Sequence, residues 1–329
     1  MRPGSVWKEV GGATSSVSPA FPKGLLLLLP SLVACQPGDG ELVSDAIVEE
    51  TATAALHQIF YGSGGLIIEA HVAVPLSDGP HPIVLFNHEG FRGVSDARRS
   101  DLMERAAQGQ AVFASSYRGQ DGSGGSIEYC YGEVDDVVNL MKVAESWPGT
   151  DGSRIVAGGW SHGACISLML TAATDRLAGV AGIGTPSDVD ALIAWHREQG
   201  NLEFAEEWES YVGDRGQEMS PRHEGIRPPA LLLQGVVDDV VPLEQSCMMM
   251  DDYADAVAVG SYRFDGHGAP VAGALEDCQG QASPGDAWSD AALETGLVLV
   301  SYEGVGHTPS ERVWADFWSQ LERFLGPQR

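Results

Sequence analysis

The sequence predicts an α/β protein with a mostly parallel central sheet and helices on both faces. Two observations carry this. Six short apolar runs have no polar alternation, so they belong to strands buried on both sides. Segments with helical periodicity lie between those runs, and strands alternating with helices produce parallel crossovers.

In chain order, "HQIFYGSGG" (57–65) and the alternating, branched "GLIIEAHVAVP" (65–75) read as an antiparallel hairpin ahead of the parallel part. The continuous runs are "IVLF" (83–86), "AVFAS" (111–115), "IVAG" (155–158), "LAGVAGI" (177–183), "ALLLQ" (230–234) and "LVLVSY" (297–302). The helical segments are "DARRSDLMERAAQ" after the first run, "EVDDVVNLMKVAESW" before the third and "HGACISLMLTAA" after it. "LEQSCMMMDDYADAV" follows the fifth run, and "SERVWADFWSQLERFL" closes the chain. Two stretches break the alternation: a small helical excursion over 187–226, and a Gly-, Asp- and Pro-rich insertion over 259–292 with no clear period. Loops of that size at a sheet's carboxyl edge shape binding sites, so the insertion either roofs a pocket near His307 or is a solvated surface loop.

The chain has 329 residues and a formal net charge of -27, with 43% hydrophobic and 20% charged residues. That length suits one large domain. Lys8, Lys23 and Lys142 are the only lysines. So acidic a surface repels phosphate backbones, which argues against nucleic-acid binding, and it keeps a protein well hydrated.

The N-terminus reads as a leader. Arg2, Lys8 and Lys23 precede an apolar run from Gly24 to Ala34, too short for a transmembrane helix but right for a signal-peptide core. Leu32-Val33-Ala34-Cys35 resembles a bacterial lipobox, which implies removal of 1–34, lipidation of Cys35 and export to the cell envelope. Gln36 after the cysteine favours the outer membrane. Ordinary secretion is the alternative. Residues 35–54 read as an acidic flexible tether, leaving 55–329 as the folded domain. Of the other cysteines, Cys165 reads as a buried thiol within an apolar helix, and Cys247 with Cys278 is the preferred disulfide. No Cys/His spacing suggests a structural zinc site, and nothing calls for a cofactor.

The chemistry centres on "GGWSHGAC" (158–165). A serine in G-x-S-x-G acts as a nucleophile only on a sharp strand-to-helix turn. Here "RIVAG" supplies the strand, 159–163 the turn and "ACISLMLTAA" the helix, so Ser161 has that context. A base and an orienting carboxylate should come later in the chain, in the order acid, then histidine. "QGVVDDVVP" places Asp238 just past the fifth run. Asp239 competes, but spacing from Gly235 favours Asp238. "SYEGVGHTP" places His307 just past the last run. The backbone N–H of His162 would form half an oxyanion hole, its ring turned away, and the N–H of Glu89 or Gly90 in "LFNHEGFRG" the other half.

Several blocks together resemble the catalytic domain of the prolyl oligopeptidase family of serine peptidases, within the α/β-hydrolase fold. The resemblance covers roughly 55–329. It rests on "NHEGFRG", "SYRGQDGSGG" (116–125), "GEVDDV" (132–137), "GWSHGA", "LLLQGVVDDVVPLEQS" (231–246) and "YEGVGH" (302–307). It implies acyl transfer through Ser161, with His307 as general base and Asp238 as its orienting acid. The substrate would be a small peptide or an ester, since the same scaffold serves esterases. An inactive envelope-anchored binding protein is the remaining reading. Three features depart from the family pattern. A seven-bladed propeller would need roughly 300 residues, and the hydrolase domain uses nearly all of the chain after the leader. Glu89 replaces a glycine of the oxyanion loop, where it would either oppose developing negative charge or bind a cationic amine. Gln234 also stands where histidine is usual.

Overall fold

The expected alternation of buried strands and amphipathic helices is present in a computed structural model that describes residues 36–225, 228–253, 259–264, 278, 288–294 and 296–326. The strands are β1 (Leu42–Glu50), β2 (Ala54–Ser63), β3 (Leu66–Pro75), β4 (His81–Asn87), β5 (Ala111–Ser115), β6 (Thr150–Trp160), β7 (Leu177–Ile183), β8 (Ala230–Gly235), β9 (Val259–Phe264) and β10 (Leu297–Tyr302). The helices are α1 (Asp96–Ala107), α2 (Gly132–Ser146), α3 (His162–Ala173), α4 (Val189–Glu198), α5 (Leu202–Val212), α6 (Leu243–Tyr253), α7 (Trp288–Glu294) and α8 (Glu311–Leu325).

Among the described residues the strands form one sheet in the order β1-β2-β3-β5-β4-β6-β7-β8-β10-β9. β1, β2, β3 and β5 pair antiparallel in succession, and every pairing from β5 onward is parallel. This is the α/β-hydrolase architecture.

Period-two alternation explains why the apolar runs are continuous. In β4, Ile83 and Leu85 face one core while Val84 and Phe86 face the other. In β8, Leu232 and Leu231 divide the same way. The first core is closed by α2, α3 and α6 through Leu140, Ile166 and Met249. The second is closed by α1 and α8 through Leu102, Phe317 and Leu321. Ser95 and Ser310 cap α1 and α8, each accepting a backbone N–H three residues on.

Three expectations need correction. The tether expected over 35–54 contains β1, a strand exposed along its whole length that pairs with β2. Its sequence, LVSDAIVEE, carries three carboxylates and exposed Leu42, Val43, Ile47 and Val48, so neither face has the apolar alternation that marks a half-buried strand. The insertion over 259–292 begins as β9 and contains the start of α7; apart from Cys278, the rest of it, and any roof over His307, lies outside the described residues. Cys165 is buried as expected but is not a free thiol: it is disulfide-bonded to Cys130, and Cys247 to Cys278. The leader and Cys35 also lie outside the described residues.

Candidate active site

The turn from β6 into α3 is as sharp as the motif requires. Ser161 has φ 54° and ψ -120°, a left-handed conformation that an L-residue adopts at a cost of about 1–3 kcal/mol. The glycines on either side permit it. A Cβ on Gly159 or Gly163 would collide with the Asn87 carbonyl at the end of β4. The Ser161 N–H donates to Ile183 O at 2.8 Å, tying the turn to the end of β7.

Loops after β6, β8 and β10 bring three side chains together at the carboxyl edge of the sheet. Ser161 Oγ lies 3.0 Å from His307 Nε2. His307 Nδ1 lies 2.9 Å from Asp238 Oδ2 and 3.1 Å from Oδ1. Because the carboxylate accepts, Nδ1 carries the proton and Nε2 is left to accept from the serine hydroxyl. The Asp238 side chain is 1% exposed and that of His307 17%, so the carboxylate is shielded while the imidazole reaches the site. Asp239 is exposed.

Donors surround the Asp238 carboxylate. Its Oδ1 accepts the N–H groups of Val240 and Val241 at 2.9 and 2.8 Å. Gln234 Nε2 approaches Oδ2 at 3.3 Å. Gln234 is itself held by Val241 O at 2.9 Å and by the Ser246 hydroxyl, which donates to its Oε1 at 3.0 Å. Its position, where the family pattern has histidine, was the one sequence signal for this role.

The loop after β4, expected to carry the oxyanion donors, abuts the turn, as the close approach of Gly159 and Gly163 to Asn87 shows. His162 begins α3, so its N–H has no acceptor one helical turn back. Its ring does not turn away from this region. It is buried, its Nδ1 donates to Gly90 O at 3.1 Å, and its Nε2 accepts the Cys130 N–H at 3.3 Å. The two bonds use the two nitrogens of one neutral tautomer, and burial pushes the imidazole pKa down to about 3. The ring also stacks on Tyr129 at 5.0 Å. His162 thus binds the oxyanion loop to the segment before α2, a role that adjacency to Ser161 did not reveal.

Glu89 does not stand free beside the oxyanion loop. Arg98 Nε donates to its Oε1 and Oε2 at 3.3 and 3.2 Å. Arg98 also bonds Asp101 at 2.6 Å and lies 4.4 Å above the Trp314 ring. Two expected roles, opposing the oxyanion and binding a cationic amine, both assumed an unpaired carboxylate. The first turn of α1 supplies the cation that pairs it.

This geometry can perform acyl transfer: a hydroxyl beside an imidazole, the imidazole oriented by a buried carboxylate, and a helix that begins directly after the serine, its N-terminus carrying partial positive charge.

Comparison with known proteins agrees with this reading. Residues 97–263, just over half of the chain, match the model of the prolyl oligopeptidase family, and 44–135 match that of acetyl xylan esterase. The uncharacterized peptidase YtmA of Bacillus subtilis (strain 168) is 25% identical over 203 residues, 59% of this chain and 77% of that protein. Acetyl xylan esterase 1 from Thermoanaerobacterium sp. JW/SL YS485 superposes with a TM-score of 0.56 at 19% identity, covering 87% of this chain and 88% of that one. An acylaminoacyl peptidase of Pyrococcus horikoshii superposes with a TM-score of 0.58 at 15% identity, covering 83% of this chain and 40% of that one. The chain is a serine hydrolase and belongs to the prolyl oligopeptidase family.

Proposed function

We propose that the protein hydrolyses short peptides through an acyl-enzyme on Ser161. The observation that carries this is the continuous line of contacts from Ser161 Oγ to His307 and from His307 to Asp238. His307 takes the serine proton as Oγ attacks the scissile carbonyl. The tetrahedral oxyanion is received by the His162 N–H together with that of Glu89 or Gly90. His307 then protonates the leaving amine, and water repeats the sequence to release the acid. Asp238 accepts from Nδ1 and holds the imidazole in the tautomer that leaves Nε2 free.

Ester cleavage is the second reading, favoured by the match of residues 44–135 to the acetyl xylan esterase model. The two are separated by kcat/KM on an acyl ester and on the matching peptide anilide, with Ser161→Ala beside the wild type. Comparable rates on both, lost in the variant, support peptide cleavage. Turnover of the ester alone supports the esterase. Failure of Ser161 to react with a fluorophosphonate probe would sink both.

Export with a lipid anchor on Cys35 is the localisation we propose. Support comes from the leader sequence and from two disulfides, which persist in oxidising compartments. Mass spectrometry of the mature N-terminus tests it: a diacylglyceryl cysteine is expected, and an unmodified N-terminus elsewhere would refute it.

A further inference from the structure

Outside the Ser161 site lies a second cluster of chemistry-bearing side chains. Glu69 and His71 stand two residues apart on β3, so they share one face of the sheet. Asp121 joins them from the loop after β5. One ligand atom from each residue lies within 4.8 Å of the others.

His71 is the unexplained member. Its side chain is 5% exposed, and neither ring nitrogen has a hydrogen-bond partner. A buried donor or acceptor left unpaired costs about 1–3 kcal/mol, so a ring with both nitrogens unpaired is a liability unless something binds it. Glu69 Oε1 is 3.4 Å from Nε2 without the geometry of a hydrogen bond.

Both carboxylates are held in place. Glu69 accepts from Gln58 Nε2 at 2.6 Å on Oε1 and from the Gly122 N–H at 2.8 Å on Oε2. Asp121 Oδ2 accepts from the Val94 N–H at 3.0 Å and the Ser116 hydroxyl at 2.7 Å. A carboxylate has about four lone-pair sites, so each can still bind a cation. The nearby Arg99 is engaged with Asp96 and with the Val94 carbonyl. Two carboxylates against that one arginine leave the local charge negative.

We propose that Glu69, His71 and Asp121 form a binding site for a divalent transition-metal ion of the zinc or manganese type. One imidazole nitrogen and two carboxylate oxygens suit those ions. Bonds of about 2.0–2.2 Å require the three ligand atoms to draw together through small side-chain rotations. Asp121 is exposed, so the ion and its remaining water ligands have a path from solvent. The occupant would tie β3 to the loop after β5. Through the Asp121–Val94 bond it would also brace the end of the loop that carries Glu89 and Gly90. It takes no part in acyl transfer, and the proposal does not rest on the function proposed above.

The test uses the full chain, stripped with a chelator and dialysed, and titrated with zinc and separately with manganese by calorimetry, beside His71→Gln and Asp121→Asn. The expected result is one equivalent of at least one of the two ions bound by the wild type. Affinity should fall at least about tenfold in each variant, and the metal should raise the wild-type melting temperature more than theirs. His71→Gln places a polar group in a buried position. If it fails to fold, the exposed Asp121→Asn decides alone. Binding of neither ion above the level of the variants overturns the proposal.

Discussion

Trp160 donates its indole N–H to the backbone carbonyl of His307 at 3.0 Å. The residue immediately before Ser161 therefore grips the loop that presents the imidazole, and the two rings lie 5.5 Å apart. Trp160→Phe keeps an aromatic ring and removes the bond. A neutral hydrogen bond contributes about 1 kcal/mol, which corresponds to about a five- to tenfold fall in kcat with KM nearly unchanged. Steady-state kinetics on an activated ester would check this. A change confined to KM would show that the bond does not position His307.

The Arg98–Glu89 pair leads to an asymmetric expectation. Arg98→Met leaves a carboxylate unpaired beside the oxyanion loop. At an effective dielectric constant of about 20, like charges roughly 8 Å apart repel by roughly 2 kcal/mol, which sets the scale of the effect. Arg98→Met should lower kcat/KM by about tenfold or more, Glu89→Gln by no more than about threefold, and the double variant should recover most of the loss. If the double variant is as slow as Arg98→Met, the effect lies in packing against Trp314 and not in charge.

Burial of the His162 ring makes stability depend on pH. Its folded pKa of about 3 lies below the ordinary value of 6.5, so between those values the unfolded state binds the extra proton. The contribution is fully present above pH 6.5 and is lost as pH falls toward 3, at up to about 1.4 kcal/mol per pH unit. Burial also lowers the pKa of His71, His88 and His196, so the wild type alone gives a composite slope. Urea midpoints from pH 4 to 7 for wild type and His162→Asn isolate the term: the variant should lose less stability on acidification. Parallel curves would refute it.

Asp136 is fully buried and accepts from the Arg118 N–H, Nε and Nη2 at 2.9, 3.0 and 2.9 Å, and from Ser63 Oγ at 2.7 Å. Asp136→Asn keeps the shape and leaves the Arg118 cation without its main counter-charge. Removing one partner of a buried pair costs about 3–5 kcal/mol. Denaturant unfolding should show a loss of that order, whereas Asp135→Asn next to it, on an exposed position, should be nearly neutral.

The parallel strands, the helices between them and the triad candidates are legible in the order of amino acids alone. Each is written in local pattern: a continuous apolar run buries both faces of a strand, G-x-S-x-G marks a turn that only small neighbours allow, and Asp238 and His307 each come just after a strand in the required order. The surroundings of those residues were decided only by tertiary structure, because the partners are far apart in the chain and belong to no shared pattern. Nothing local joins Trp160 to His307, the His162 ring to Gly90 and Cys130, or His71 to Asp121. Arg118 and Asp136 lie in two separate blocks whose bond became visible only when β5 and α2 were packed together. β1 shows the same limit from the other side. Its apolar residues Leu42, Val43, Ile47 and Val48 are exposed and fall in adjacent pairs, so they follow no strand period, and only pairing with β2 gives it a conformation.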